Sequence, residues 1–142
     1  MIPNNTIQAD VLADLLTFAS LTSLLSSAGE VREDQYQGTV FGYPAVRVAI
    51  LNQTPIVGPE QCDLATLVLS VRCFAEEASS KMADRLAGLA NDRLHRRNFF
   101  GTGWMSWLRS AGLIGALRVD ERLWRSEALF TGTVYPTVGV FA

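Results

Sequence analysis

Apolar positions recur along this chain with two different periods. Ile7, Val11, Leu15 and Phe18 follow one another at steps of four, four and three, one stripe of an amphipathic helix. Asn5 or Thr6 can cap its start, because their side-chain oxygens accept from free backbone N–H groups. Of the acidic pair Asp10 and Asp14, only Asp10 lies close enough to the start to gain from the helix dipole. A short turn over Leu21–Ser27 follows, with Ala28-Gly29 as its stop. The period then changes to two. Val31–Gln35 reads as a short charged edge strand, and Thr39–Leu51 as a better one, with Val46, Val48 and Ile50 alternating against Arg47 and Ala49. Asn52–Cys62 holds Pro55, Gly58 and Pro59 and reads as a long loop. Asp63–Glu76 is the strongest strand. Leu67, Leu69, Val71 and Cys73 share one face, and the other face is not cleanly polar, so the strand should be central or covered on both sides.

A second helix is predicted over Glu76–His95, with Ser79 or Ser80 as cap. Met82, Leu86, Leu89, Ala90 and Leu94 form its buried stripe, and Lys81, Asp84, Arg85, Asp92 and Arg96 its solvated face. Asn98–Gly103 reads as a turn. Three strands are expected after it, Trp104–Leu108, Leu117–Arg125 and Glu127–Tyr135, with Gly112 and Gly115 punctuating the first connection. The order, helix, three strands, helix, three strands, predicts an α+β fold: a mostly antiparallel, mixed β-sheet with an N-terminal helix and one longer helix packed on it. At 142 residues the whole chain, 1–142, is expected to be a single domain.

Composition adds a bias towards assembly. Hydrophobic residues make up 49% and charged residues only 18%, which excludes disorder as the main state. The net charge is −2, so the basic excess of a dedicated nucleic-acid binder is missing. Of the 12 basic residues, Lys81 is the one lysine. Arginine suits protein interfaces through its planar, weakly hydrated head, although a genome rich in G and C would enrich Arg equally well. The first residues, Met1-Ile2-Pro3-Asn4-Asn5, lack the basic segment of a secretion signal, and Val11–Leu25 is too polar and too short to span a membrane; neither a leader nor a membrane contact is expected.

Candidate chemistry is sparse. Cys62 and Cys73 have no partner at metal-ligand spacing, and Cys73 fits a small core residue. The single histidine, His95, ends a helix, where it would meet terminal carbonyls. Glu76-Glu77 fit a helix start, and Asp120-Glu121, if on a strand, point to opposite faces. Gly101-Thr102-Gly103 lacks the lysine of a phosphate loop. No catalytic residue, cofactor site or metal set is therefore nominated, and a non-enzymatic protein is expected. The Arg93, Arg96, Arg97 cluster is the one dense basic patch; it fits either a favourable helix C-terminus or an acidic partner. Trp and Arg dominate the energetic centres of protein interfaces. The interface candidates are therefore Arg96, Arg97, Trp104, Trp107, Arg122, Trp124 and Arg125, joined by Pro55, Gly58 and Pro59 of the long loop. At least one of the three tryptophans should be core and at least one at an interface.

The segments IQADVLADLLTFASLTSLLSSAGEVRED, YPAVRVAI, SSKMADRLAGLANDRLH and RVDERLWRSEALFTGTVYPTV occur in an order that resembles the tail-terminator (tail-completion) proteins of long-tailed bacteriophages, within the wider neck and connector group. The resemblance covers roughly Ile7–Tyr135; the Gly101–Ile114 stretch with its two tryptophans has no counterpart in it. It implies a structural virion protein at the tail–neck junction, assembled in the host cytoplasm. Such subunits form a homo-oligomeric ring, hexameric in the family, that caps the tail tube protein, meets head-completion or connector proteins, and lets genomic DNA pass without sequence-specific binding. The long loop and the tail Val138–Ala142 would be contact arms. Two other classes stay open: a head-completion or tail-tube subunit of the same virion, and a small α+β enzyme or ligand-binding domain.

Overall fold

The computed structural model describes residues 2–25, 30–35, 42–56, 64–77 and 79–137. The elements are α1 (Asn4–Leu16), α2 (Ala19–Thr22), β1 (Val31–Glu33), β2 (Ala45–Pro55), β3 (Ala65–Glu76), α3 (Lys81–Leu94), β4 (Arg97–Phe100), β5 (Trp104–Arg118) and β6 (Leu123–Pro136). The strands form a six-stranded sheet in the order β1-β2-β3-β6-β5-β4. Every pair is antiparallel except β1 with β2. The fold is α+β, with a mixed sheet, as the alternation of periods predicts.

One sheet face carries the helices. Ile7, Val11 and Leu15 of α1 and Leu86, Ala90 and Leu94 of α3 are fully buried there against Val46, Val48, Leu67, Leu69, Val71, Cys73, Ala128 and Phe130. Register places these strand residues on a common face: Val46 lies opposite Cys73, Val48 opposite Val71, and Leu69 opposite Phe130. Burying a side chain of this kind contributes about 1.5–3 kcal/mol, so this one core dominates the stability.

Several boundaries differ from the sequence expectations, for identifiable reasons. β2 continues through Asn52–Pro55, a stretch that reads as loop in the sequence, because a bulge at Ile50/Asn52 lets the strand keep pairing with β3 down to Pro55 opposite Ala65. Asn98 is not in a turn; it pairs with Trp107 in β4, and the turn is only 101–103. Gly112 and Gly115 do not punctuate a connection. They sit inside the 15-residue β5, at or between bulges at Ser110/Gly112 and Ile114/Leu117, and Gly112 takes φ 137°, which other residues rarely adopt. Asp120-Glu121 accordingly lie in the turn between β5 and β6, not on a strand. Gly58, Pro59, Cys62, Ala28-Gly29 and Val138–Ala142 lie outside the described residues.

Candidate functional site

Two carboxylates of α1 tie the helix to the second half of the chain. Asp10 Oδ2 accepts from the Thr102 backbone N–H and the Trp104 indole N–H, both at 2.7 Å, and Oδ1 accepts from the Thr102 hydroxyl at 2.9 Å. One turn on, Asp14 accepts from Arg93 Nη2 at 3.0 Å and lies 2.9 Å from Arg97 Nη2. The Arg93 guanidinium also lies over the Phe18 ring. Neither carboxylate sits in the first turn of α1; both are cross-links, not dipole partners. The basic cluster is therefore largely spent inside the molecule, with Arg96 left exposed at φ 57°.

His95 also differs from expectation. Its backbone N–H donates to the Asn91 carbonyl at the end of α3, but its ring turns away from the helix end, and Nδ1 accepts the Ser110 backbone N–H at 2.8 Å, at the first bulge of β5. The Gly112 N–H is taken by the Ser110 hydroxyl. These two bonds occupy the outer edge of β5 where β4 stops, since β4 pairs only Met105–Leu108.

The face of the sheet opposite the helices is mixed: charged and hydroxyl side chains lie among Val68, Phe74 and Leu129. Register aligns Arg32, Arg47, Arg72 and Glu127 in one row across β1, β2, β3 and β6. Carboxylates interleave with the guanidiniums. Arg47 Nη2 lies 3.3 Å from Glu30, Arg72 Nη1 lies 2.8 Å from Asp34, and Glu127 accepts from Ser70 Oγ at 2.7 Å. Arg47 and Glu30 are both buried, so removing either would leave an uncompensated charge, a loss that typically costs about 3–5 kcal/mol. Further along the same face lie Thr66, Arg109, Thr131 and Thr133, which with Trp107, Gly132 and Tyr135 line an open groove of about 500 Å³. Trp107 is 54% exposed there.

At the other end of the face a smaller cleft is lined by Tyr43, Glu76, Asp120, Glu121, Arg122 and Leu123. Partial burial pushes the Tyr43 phenol above its ordinary value, with Glu76 and Asp120 adding to the effect and Arg47 opposing it. Among the described residues no group of three or more His, Cys, Asp or Glu is placed to hold a metal ion.

The distal half of β5 has little cover. Ala111–Arg118 is exposed at every position except the half-buried Ala116, with Leu113 55%, Ile114 42% and Leu117 52% exposed, and Val119 beyond them 52%. Leu113 and Ile114 belong to opposite sheet faces, so both faces of this segment are bare.

Of the sequence-nominated interface residues, Trp104 is withdrawn. It is fully buried, stacked on Phe99 with ring centroids 5.2 Å apart, and its N–H is bound by Asp10. Trp124 is half-buried and donates to the Glu77 carbonyl at 3.2 Å. Arg97 is held by Asp14, whereas Trp107, Arg96 and Arg122 are exposed. Arg125 is half-buried on the helix-free face opposite Phe74. Pro55 is exposed at the end of β2. The bare Leu113–Leu117 segment is hidden in the sequence because Gly112 and Gly115 read as a connection between two strands.

No family model matches the chain, and no curated protein matches it. Among solved structures, the fold superposes on a chain from a structure described as the virion of native gene transfer agent (GTA) particle. The TM-score is 0.72 at 17% identity, covering 92% of this chain and 96% of that one. A likeness at this identity establishes the common fold.

Proposed function

We propose that this chain is a structural protein of a phage-like virion: a tail-terminator or neck subunit that closes into a ring, hexameric in that plan, on the end of the tail tube and joins it to the head. The observation that carries this is the near end-to-end likeness of fold to a chain of a gene transfer agent virion particle. The sheet supports it. Helices cover one face, and the other carries paired charges and a stretch of threonines among apolar residues. Such a face suits the wall of a channel that DNA must cross, because Arg47 and Arg72 are paired with neighbouring carboxylates and hold no phosphate tightly. On this reading the protein binds, and does not catalyse. Its partners are further copies of itself, the tube protein and head-completion or connector proteins. Trp107, Arg96, Arg122, Arg125, Trp124, Pro55, Gly58 and Pro59 remain its proposed contact residues.

The test is the solution mass by light scattering, followed by negative-stain imaging with and without purified tail tubes. Closed rings, alone or capping tube ends, are expected. Open filaments would replace this reading with a tube subunit. A chain that stays monomeric and ignores tubes would replace it with a small binding domain.

A further inference from the structure

The sheet ends in two bare edges. β1 pairs with only Val46–Val48, so from Ala49 to Pro55 β2 has no strand on its outer side among the described residues. A groove of about 480 Å³ runs beside this edge, lined by Ala49, Ile50 and Leu51, by polar residues of α1 and by the Asp34–Arg72 ion pair. At the other side, β4 begins opposite Leu108, and the side chains of His95 and Ser110 take the next outward N–H groups, those of Ser110 and Gly112. From Leu113 to Arg118 the outer edge of β5 has no strand beside it among the described residues. Natural sheets protect such edges with charge, proline or a covering element. Here such protection is confined to the ends, Pro55 on β2 and Arg118 on β5; Ala49–Thr54 and Ser110–Leu117 between them carry no charge, and Leu51, Leu113, Ile114 and Leu117 are exposed. The two bulges of β5 bend it without adding charge.

We infer that these two edges are the two halves of one interface: the Leu113–Arg118 edge of one copy adds as a strand to the Ala49–Pro55 edge of the next copy. This rests on the ring-subunit reading and supplies its contact. Three features of the sheet favour a second copy of this chain as the occupant. The first is direction. β5 runs opposite to β2 within the sheet, so copies arranged head to tail bring the two edges together antiparallel, the pairing that already dominates the sheet.

The second is level. Register puts Leu113 at the height of Val48, at the bottom of β2, whereas the free part of β2 lies above it. The neighbour must therefore be offset by five or six residues, about 18 Å, while one copy adds four strands, β2, β3, β6 and β5, or about 19 Å of sheet width. Those two lengths require a strand tilt of a little over 40°, within the 35–45° at which closed barrels form. The third is clearance. β4 flanks only the top of β5 and β1 only the bottom of β2, so the same offset carries each short strand past the junction. Because the two edges differ, the contact is heterologous, and it propagates until it closes.

The experiment uses the full chain with charges placed on one edge at a time: Leu113→Lys with Leu117→Lys for β5, and Leu51→Lys with Thr54→Lys for β2. All four positions are exposed, so circular dichroism and melting should match the wild type. Wild-type rings are established first. Each edge variant alone is expected to lose the ring and run as a monomer. An equimolar mixture of the two keeps one intact edge from each partner and should give a 1:1 dimer and nothing larger. Rings formed by either variant, self-pairing of either, or a monomeric mixture would overturn the edge contact while leaving the ring reading in place. Wild-type protein that forms no ring even on tubes would overturn both.

Discussion

Replacing Asp10 by alanine tests whether α1 is held to the rest of the fold by the bonds described above. The carboxylate accepts three hydrogen bonds, and their fates on removal differ. The Thr102 N–H and hydroxyl are exposed, so water replaces Asp10 at a net loss of about 0.5 kcal/mol each. The Trp104 indole is fully buried, and its N–H has no other partner among the described residues. Leaving such a donor unsatisfied costs about 1–3 kcal/mol. The sum is about 2–4 kcal/mol, or a fall in Tm of roughly 5–12 °C for a chain of this size. Asp10→Asn retains an acceptor oxygen and should lose about half as much.

The assay is urea unfolding followed by far-UV circular dichroism, run as a double-mutant cycle with Trp104→Phe. Phenylalanine brings its own packing loss, which the cycle subtracts. With no indole N–H to strand, Asp10→Ala should cost about 1–2 kcal/mol less in the Trp104→Phe background than in the wild type. Equal costs in the two backgrounds, or an Asp10→Ala loss below about 0.5 kcal/mol, would refute the assignment of Asp10 as the anchor of Trp104.

Gly132→Ala should destabilise by about 1–3 kcal/mol in the same unfolding assay, because a Cβ there would lie 2.8 Å from the Trp107 backbone oxygen and 2.6 Å from Ser106 Oγ. Burial pushes the Cys73 thiol far above its ordinary value of 9.0, so in a Cys62→Ser background a thiol reagent should label the denatured but not the native chain. The sign of the linked pH effect follows: above about pH 8.5 the unfolded thiol ionises while the folded one keeps its proton, so Cys73 makes stability fall as pH rises, and Cys73→Ala should flatten that fall. Asp14→Ala severs Arg93 and Arg97 from α1 and should cost about 1–2 kcal/mol, less at 0.5 M salt because both guanidiniums are partly exposed. Ring assembly through edges whose one charge is the terminal Arg118 should, by contrast, be little changed between 0.05 and 0.5 M salt by light scattering, whereas dissolution by salt would assign the contact to ion pairs.

What could be read from the chain follows the range of the interactions. The stripe Ile7–Val11–Leu15, the alternation Leu67–Leu69–Val71–Cys73 and the α3 stripe were legible because a periodic apolar face needs no knowledge of its partner. Arg47 was not. On a strand flanked by Val46 and Val48 it reads as an outward residue, and its burial depends on Glu30, which a local pattern does not reveal. Asp10 and Asp14 were visible as a pair one helical turn apart, but their partners lie 79 to 94 residues away in sequence. A local reading breaks β5 in two because Gly112 and Gly115 are turn residues in most settings. In a strand with both faces bare no apolar alternation is required, so the pattern that would have overruled the glycines was missing.

That missing pattern is itself physically informative. The chain is low in charge, and its sheet places many of the charges it has within the monomer. Arg47 with Glu30, Arg72 with Asp34 and Glu127, and Arg93 and Arg97 with Asp14 take up four of the twelve basic residues. Arginine serves this better than lysine, since its flat fork can meet two oxygens at once, as Arg93 does with Asp14 through Nε and Nη2. The outcome is a monomer in which Arg47 and Arg72 are neutralised from within and whose two sheet edges carry a single charge, Arg118, at the end of one of them. Neither property makes an isolated domain more soluble or more stable, and a sparsely charged edge makes it more prone to stick. Both are advantageous if the helix-free face lines a channel and the edges are met by neighbours, so the distribution of charge, more than any single residue, is what points from this fold towards assembly.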